Sequence, residues 1–375
     1  MLPSPDARPV AKPPWKRRFE RAVYAASAAS LYAGCPSSLP IDGPAGVGGE
    51  GQGGALECSI GEALCLGSCV DLRTNIVHCG ACGHDCLGGG CADRECQPVV
   101  LASGLSQPDG LALGTDAVYF TGYGDGTVQR VPRGGGSPTT LIGGEDHPHG
   151  VVVDEGHVYW TASGKLGSLR KLALGGGVPV TLLGNLQTPW ELAIDSANVY
   201  VTVTGAGSVM RVPKEGSPPS TLIAAQGQPY GVAVDPENIF FAARTSASIK
   251  QLPLAGGNPI TLASNQMLPL EITVDAAFVY WTTEIGVVAR LPIGGGVLKT
   301  LLLGHEPLGG IAVDDAYVYY VVTGDEGRVM KLPKDGGDPV VLASKQDHPV
   351  SVVVDDESVY WTNRADAGAV MKVAK

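Results

Sequence analysis

Charged and aromatic residues are scarce in this 375-residue chain: Asp, Glu, Lys and Arg make up 17% of it, and Phe, Trp and Tyr 6%. No run of about 18 apolar residues occurs, so the sequence predicts no membrane-spanning helix. Basic residues are also few, and the net charge of −11 disfavours binding to the phosphate backbone of nucleic acid. The chain is instead rich in glycine (53) and proline (28), which is typical of many short strands joined by turns.

Cysteine is missing from the last 279 residues, although the chain contains nine. An even number in one short segment favours four disulfides, because a module of this size buries too little apolar surface to fold without them. Zinc is the alternative, since "CGAC" and "CGHDC" have the spacing of a zinc knuckle. The eight cysteines of this segment are Cys58, Cys65, Cys69, Cys79, Cys82, Cys86, Cys91 and Cys96.

The ninth cysteine, Cys35, ends a segment with the layout of an export signal. "WKRRFERAVYAASAASLYAGC" has a basic start, a short apolar run and small residues before the cysteine. Its end resembles the lipobox of bacterial lipoproteins, with Ala33 and Gly34 before the acylated cysteine and Tyr32 where that family prefers Leu. The resemblance implies that residues 1–35 direct export and that Cys35 carries a lipid. Ordinary signal-peptidase cleavage and an uncleaved start are the alternatives.

Two segments separate this signal from the rest of the chain. Residues 36–57 are rich in Gly with scattered Pro and predict a flexible linker. Residues 58–97 contain "CVDL" and "HCGACGHDC", through which they resemble the stigma-specific cysteine-rich family, also found as a short module in myxobacterial exported proteins. The resemblance says little about activity, and Asp71, His78, His84 and Asp85 are interpreted as solvated loop residues.

Residues 98–375 contain seven copies of one unit of about 40 residues. Each copy has a Pro-led turn, an apolar run ending mostly in Asp, a "VYWT"-like strand, a strand such as "VMRVP", a Gly-rich turn and a strand such as "PVTLL". Four short strands per copy predict an all-β fold, a seven-bladed β-propeller, because radial stacking covers the faces of such sheets. The central aromatic residues of the copies are Tyr119, Tyr159, Tyr200, Phe240, Tyr280, Tyr319 and Tyr360.

The two ends of the repeat region predict how the ring closes. The seventh copy stops after its third strand, and "PVVLASGL" at 98–105 nearly matches "PVVLASKQ" at 339–346. We therefore expect the first strand to complete the last blade. Through "VYWT" and "PYGVAVD" the region resembles the YWTD and NHL propeller superfamily; YWTD propellers have six blades, so the resemblance implies the fold and not the ligand.

Three histidines lie close together in the sequence "HPHGVVVDEGHVYWT". His147 and His149 begin the innermost strand of the second copy, whereas His157 follows the turn at its other end. Five strand residues separate the two places by roughly 17 Å, and zinc needs ligands at about 2 Å. The three side chains are therefore not expected to form a metal site.

The turn that enters the innermost strand varies most from copy to copy, and this variation predicts a ligand site. Residues next to the proline are polar or aromatic in five neighbouring blades, whereas the opposite face repeats Asp and "GGG". A concave mouth with such side chains is the default ligand site of a propeller. The candidate residues are Gln107, Asp109, His147, His149, Trp190, Glu191, Gln228, Tyr230, Glu271 and His348.

Three functions fit this pattern. The first is an exported, lipid-anchored, non-catalytic binding protein at the cell surface, outer membrane or periplasm, monomeric and without a cofactor, with a carbohydrate, peptide or protein partner. The second is a metal-dependent enzyme similar to virginiamycin B lyase, in which His149 acts with Glu191 or Glu271; this rests on the fold alone. The third is a scaffold for assembly in the cell envelope.

Overall fold

The computed structural model describes residues 58–375. The export segment, the linker and Cys35 lie outside the described residues. Within residues 58–375 the chain forms 32 β-strands and no helix, so none of its elements is a helix that could cross a membrane.

The cysteine-rich module contains two short hairpins and four disulfides. Its strands are β1 (Glu62–Cys65), β2 (Ser68–Asp71), β3 (Cys91–Ala92) and β4 (Glu95–Cys96). All eight sulfurs are paired, so none remains as a thiolate for zinc, and the disulfide prediction is confirmed. The pairs are Cys58–Cys69, Cys65–Cys82, Cys79–Cys91 and Cys86–Cys96.

Seven four-stranded antiparallel sheets follow, as the repeats predict. Within blades 1 to 6 the strands run in sequence order from the central channel outward. Blades 1 to 3 contain β6 (Pro108–Leu113), β7 (Ala117–Gly122), β8 (Thr127–Pro132) and β9 (Thr139–Ile142); β10 (Pro148–Val153), β11 (His157–Ala162), β12 (Gly167–Ala173) and β13 (Val180–Leu186); β14 (Pro189–Ile194), β15 (Asn198–Val203), β16 (Ser208–Pro213) and β17 (Ser220–Ile223).

Blades 4 to 6 repeat this arrangement. They contain β18 (Pro229–Val234), β19 (Asn238–Ala243), β20 (Ser248–Pro253) and β21 (Ile260–Ala263); β22 (Pro269–Val274), β23 (Phe278–Thr283), β24 (Val287–Pro292) and β25 (Lys299–Leu303); β26 (Leu308–Val313), β27 (Tyr317–Val322), β28 (Gly327–Pro333) and β29 (Val340–Gln346).

Blade 7 closes the ring with strands from both ends of the region. It contains β30 (Pro349–Val354), β31 (Ser358–Asn363), β32 (Gly368–Ala374) and, at its outer edge, β5 (Val99–Leu105). β5 pairs with β32 through Val99 opposite Lys372 and Leu105 opposite Gly368. The closure predicted from the two matching segments is confirmed.

The second strand of each blade forms the core between blades. Trp160, Trp281 and Trp361 are fully buried there, and the neighbouring tyrosines are nearly so. β-branched and aromatic residues suit this place because both faces of the strand pack against apolar neighbours. These tryptophans therefore belong to the core of the propeller.

On the face opposite the mouth, the Asp that follows the innermost strand closes a turn, and in four blades it also joins two blades. Asp154 accepts hydrogen bonds from the N–H groups of Gly156 and His157 and from Lys214 of the next blade. Burial alone would raise the pKa of Asp154, but these donors outweigh it and lower the pKa to about 2. Comparable bonds join blades at Asp275, Asp314 and Asp355.

The cysteine-rich module packs against the same opposite face. Cys79, Cys86 and Cys96 share an apolar cluster with residues of blades 6 and 7, such as Val373. The ring nitrogens of His84 lie 2.6 Å from the carbonyl oxygen of Cys79 and 3.0 Å from that of Lys375. The interpretation of His84 as a solvated loop residue is therefore wrong, because its ring bridges the module to the last residue of the chain.

Candidate ligand-binding site at the channel mouth

A repeated hydrogen bond holds the start of each innermost strand in place. In five blades a threonine of the second strand donates to the carbonyl oxygen of the second residue of the innermost strand in the next blade. The bonds run from Thr121 to His149, Thr161 to Trp190, Thr202 to Tyr230, Thr282 to Gly309 and Thr362 to Asp109, with lengths of 2.7–2.8 Å. The threonine of the "VYWT" pattern thus fixes the backbone from which the mouth side chains project.

The first residue of each innermost strand is called the entry position. A glycine two residues after it lets neighbouring blades approach closely. A Cβ atom at Gly150 would lie 2.7 Å from the carbonyl oxygen of Trp190, and one at Gly231 would lie 2.8 Å from that of Leu270. Blades 3 and 5 carry Glu191 and Glu271 at this position instead. These two blades therefore add carboxyl groups where most of the others have only backbone.

In blade 6 the proline does not occupy the same structural position as the prolines of the other blades. Leu308 pairs with Val322 as Pro108 pairs with Gly122 in blade 1, so Leu308, not Pro307, occupies the entry position. Pro307 takes the place of the preceding residue, which has a positive φ in the other six blades. Proline cannot adopt that conformation, and the turn shifts by one residue.

The four candidates that precede a proline lie on the rim and do not line the cavity. Gln107, His147, Gln228 and His348 have φ between 48° and 55°, a left-handed conformation that the turn imposes on them. Gln107 donates to Asp366 at 2.8 Å. His147 and His348 each lie within 2.8 Å of the preceding aspartate, so they are engaged in rim contacts.

The other six candidates come together around one cavity of about 450 Å³ at the mouth of the channel. They belong to blades 1 to 5. The six are Asp109, His149, Trp190, Glu191, Tyr230 and Glu271.

Three rings form a row along one wall of this cavity. The ring centroids of His149 and Trp190 are 3.7 Å apart, and those of Trp190 and Tyr230 are 5.0 Å apart. His149 is only 7% exposed, and its burial lowers its pKa, so the ring is neutral near pH 7. The row therefore presents aromatic surface without a positive charge.

Asp109 and His149 keep unused hydrogen-bonding capacity inside the cavity. His149 Nε2 lies 3.3 Å from Asp109 Oδ2. This approach is not aligned as a hydrogen bond, and Asp109 Oδ2 and His149 Nδ1 are both buried without a partner in the part of the chain that the structure describes. Buried polar atoms in such a state are costly unless something else satisfies them.

Glu191 and Glu271 line the same cavity without a basic partner among the described residues. Withdrawal from water raises the pKa of Glu191 to about 7, and the charge of Asp109 acts in the same direction. Withdrawal from water, together with the charges of Glu191 and Asp109, raises the pKa of Glu271 well above its usual value. The two carboxyl groups resist simultaneous ionisation.

Three further charged residues of the mouth are not revealed by a comparison of the proline turns. Arg244, Glu284 and Arg364 follow the second strand of blades 4, 5 and 7 and line the same cavity. Their backbone N–H groups donate to the carbonyls of the residues that open the innermost strands, at 2.9–3.1 Å. The aligned position also varies from copy to copy, as Tyr123, Ser163, Thr204 and Thr323 in the other blades, and this variation was the available signal.

The arginines of the mouth are already paired. Arg244 forms an ion pair with Glu284 and lies 5.0 Å from the ring centroid of Tyr230. Arg364 Nη1 lies 3.7 Å from Asp109 Oδ1, and its guanidinium lies 4.3 Å from the ring centroid of Tyr123. Four carboxyl groups and two guanidinium groups line the cavity, so acidic groups are in excess by two.

Metal-ligand geometry is not formed at the mouth. Among residues 58–375, no three histidine, aspartate or glutamate side chains of the cavity bring their ligand atoms within 4.8 Å of one another. On the rim outside it, Asp325, Asp347 and His348 do so, but all three are exposed and the imidazole lies between the two carboxylates. His157 lies on the opposite face, as expected, beside the turn closed by Asp154.

Comparison with known proteins identifies the fold. No family model matches the sequence, and no curated protein matches it. Virginiamycin B lyase from Staphylococcus aureus is similar in structure, with a TM-score of 0.64 at 12% identity over 74% of this chain and 98% of that chain. A catalytically inactive histidine-to-alanine variant of the same lyase, in complex with quinupristin, has a TM-score of 0.65 at 12% identity and the same coverage.

The WD40 β-propeller domain of Doa1 is similar too, with a TM-score of 0.61 at 14% identity over 74% of this chain and 96% of that chain. At these identities the likeness concerns the fold alone, because propellers of one shape serve unrelated functions.

Proposed function

We propose that this chain is a non-catalytic binding protein that takes a peptide, glycan or protein partner at the mouth of its central channel. The observation that carries the proposal is the row of His149, Trp190 and Tyr230 along the cavity wall. Such rings offer a partner a large contact area and lose little side-chain entropy.

The partly exposed state of Trp190 supports this proposal. Trp160, Trp281 and Trp361 are fully buried between blades, whereas Trp190 is half-buried and faces the cavity. Nothing in the packing of blade 3 requires an indole at this place, since the same position carries Gly309 in blade 6 and Val350 in blade 7. Binding provides a reason for the ring that packing does not.

The mouth does not provide the arrangement that the lyase-like alternative needs. That alternative requires His149 and a glutamate to share a metal ion, and within the described part of the chain their ligand atoms belong to no group of three that lies within 4.8 Å. Metal-bound oxygen and nitrogen ligands lie about 2 Å from an ion. We therefore place binding ahead of metal-dependent catalysis.

An array of glycans and peptides, probed with the full-length chain, tests the binding function. Trp190→Ala should weaken binding of each retained ligand at least tenfold, or about 1.4 kcal/mol. Tyr317→Ala is the matched control, because Tyr317 is a half-buried ring on the opposite face. Retained binding in Trp190→Ala, or equal loss in both variants, would contradict a ligand site at the mouth.

We further propose that the chain is exported and held at the membrane by a lipid on Cys35. Four disulfides are typical of proteins that fold in an oxidising compartment. The module that follows the linker packs on the face opposite the mouth, so the module itself leaves the mouth free for a partner. Palmitate labelling of the parent and of Cys35→Ser tests the anchor: label retained in the variant excludes Cys35.

A further inference from the structure

The cavity at the mouth has more negative than positive groups, and its positive groups are occupied. Arg244 is paired with Glu284, and Arg364 lies against Asp109. Among residues 58–375, Glu191 and Glu271 have no such partner; the charged groups that act on them are Asp109 and, for Glu271, also Glu191. Two carboxyl groups in one cavity without a cation destabilise each other when both ionise.

A second, independent feature points to a ligand that donates hydrogen bonds. Asp109 is 4% exposed and lines the cavity, yet its Oδ2 atom accepts no hydrogen bond. An oxygen held in this way is satisfied by a donor that enters the cavity. A positively charged donor suits it best, because hydrogen bonds to a carboxylate are strongest when the donor is charged.

The aromatic wall favours the same kind of ligand. Trp190 and Tyr230 belong to blades 3 and 4, next to Glu191, and Glu271 follows in blade 5. The face of Trp190 carries negative electrostatic potential and attracts a cation, whereas the ring of Tyr230 already lies against Arg244. The cavity therefore combines anionic groups and ring faces around one space.

The spacing of the acidic groups separates an organic cation from a metal ion. Their oxygens do not gather, in threes, within 4.8 Å of one another. A bare divalent ion needs several oxygens at 2.0–2.6 Å at once. An ammonium group on an organic body reaches more widely spaced acceptors, and its body can lie against the rings.

We propose that the mouth binds an amine-bearing ligand whose ammonium group lies among the carboxyl groups of Asp109, Glu191 and Glu271 and whose apolar part packs on Trp190 and Tyr230. This inference rests on the proposed binding function and names the chemistry of its ligand. The amine belongs either to a lysine side chain or to a peptide N-terminus.

Binding of phenethylamine to the full-length chain at about pH 8 tests the proposal, with 2-phenylethanol as the uncharged probe of the same size. Calorimetry should give a millimolar dissociation constant for phenethylamine and a value about tenfold or more weaker for 2-phenylethanol. The double variant Glu191→Gln/Glu271→Gln should weaken phenethylamine binding by a similar factor and leave 2-phenylethanol unchanged. Glu326→Gln removes one charge from the same face outside the cavity and should change neither.

Equal affinity for the two probes, absence of phenethylamine binding, or an unchanged double variant would overturn the proposal. Displacement of phenethylamine by micromolar Mn²⁺ would also overturn it, because the carboxylates would then belong to a metal site. If binding of the array ligands still requires Trp190 in any of these cases, the binding function is retained and only the proposal of a cationic ligand is rejected.

Short peptides distinguish the two sources of the amine. One peptide carries a free lysine and an acetylated N-terminus; the other carries a free N-terminus and an acetylated lysine. Binding of either peptide, lost on acetylation of its free amine, supports the proposal and identifies the source. Binding of the doubly acetylated peptide with equal affinity contradicts it.

Discussion

At the scale of single residues, the raised pKa of Glu191 makes the stability of the protein depend on pH. A carboxyl group whose pKa is higher in the folded state holds its proton more tightly there. Its contribution to stability is present below about pH 4.5 and is lost as the pH rises through about 7. Ionised Glu191 and Glu271 therefore destabilise the fold in neutral and alkaline solution.

Replacement of both residues by glutamine should remove this loss. At about pH 8 we expect the free energy of unfolding of Glu191→Gln/Glu271→Gln to exceed that of the parent by on the order of 2 kcal/mol, after allowance for water in the cavity. The variant should therefore melt at a higher temperature than the parent. At about pH 4.5 the parent and the variant should differ little, because the parent carboxyls are then protonated. Circular dichroism melts at both pH values measure the difference, with Glu326→Gln as a control that shows none. A gain of equal size at both pH values would mean that ionisation of the pair is not the cause.

The sequence predicted only part of the residues that line the mouth. The residues after each proline were found because the repeats differ there while their framework stays constant. Arg244, Glu284 and Arg364 were not, because they belong to a different turn of the unit, and only the backbone bonds between the two turns bring them to the cavity. Pairing of these arginines with carboxylates also depends on neighbouring blades, which a single repeat does not reveal.

At the scale of the element, the threonine of the second strand joins neighbouring blades. Thr202 accepts a hydrogen bond from the N–H of Glu191 and donates to the carbonyl oxygen of Tyr230. Blades 4 and 6 have Ala242 and Val321 at this position, so their contacts with the following blades lack this bond. The hydroxyl thus stabilises five of the seven contacts between blades.

Thr202→Val should destabilise the protein by about 1–3 kcal/mol, because it keeps the volume but leaves a buried carbonyl and N–H unpaired. Denaturant unfolding measures the loss. The control is Thr140→Val, the same change on the exposed outer strand of blade 1, which should stay within about 0.5 kcal/mol of the parent. Equal effects of the two substitutions would show that the hydrogen bond across the blades is not the source of the stability.

The shifted turn of blade 6 shows where alignment of the repeats fails. Matching prolines placed Glu306 and Leu308 one position away from their structural counterparts. A proline marks a turn, but its position within the turn depends on whether the neighbouring residue must adopt a positive φ. That requirement concerns the backbone conformation, which cannot be derived from the residue types of a single sequence.

At the scale of the whole molecule, the ring depends on β5. Leu101 on this strand is 2% exposed and packs with Val370 and Tyr360 of blade 7, whereas its neighbour Val100 is 52% exposed. The closure was predictable because the same segment recurs as the last strand of blade 6. Docking of the cysteine-rich module on the propeller was not, since its contacts involve residues that no repeat shares.

Leu101→Asp should therefore open the ring, and Val100→Asp should not. A buried charge at position 101 should cost more than about 3 kcal/mol and lower the melting temperature by roughly 6–12 °C. Differential scanning calorimetry compares the two variants. A sharp transition at the parent temperature for Leu101→Asp would show that the propeller holds together without this strand.

Because its first strand belongs to its last blade, the ring of blades cannot close until the ribosome has made β32. A ribosome delivers Leu105 about 260 residues before Gly368, the residue opposite it. At about 5–20 residues per second, that interval is roughly 13–50 seconds. During this time blades 1 to 6 can form while β5 still lacks its partner strand and stays open to chaperones.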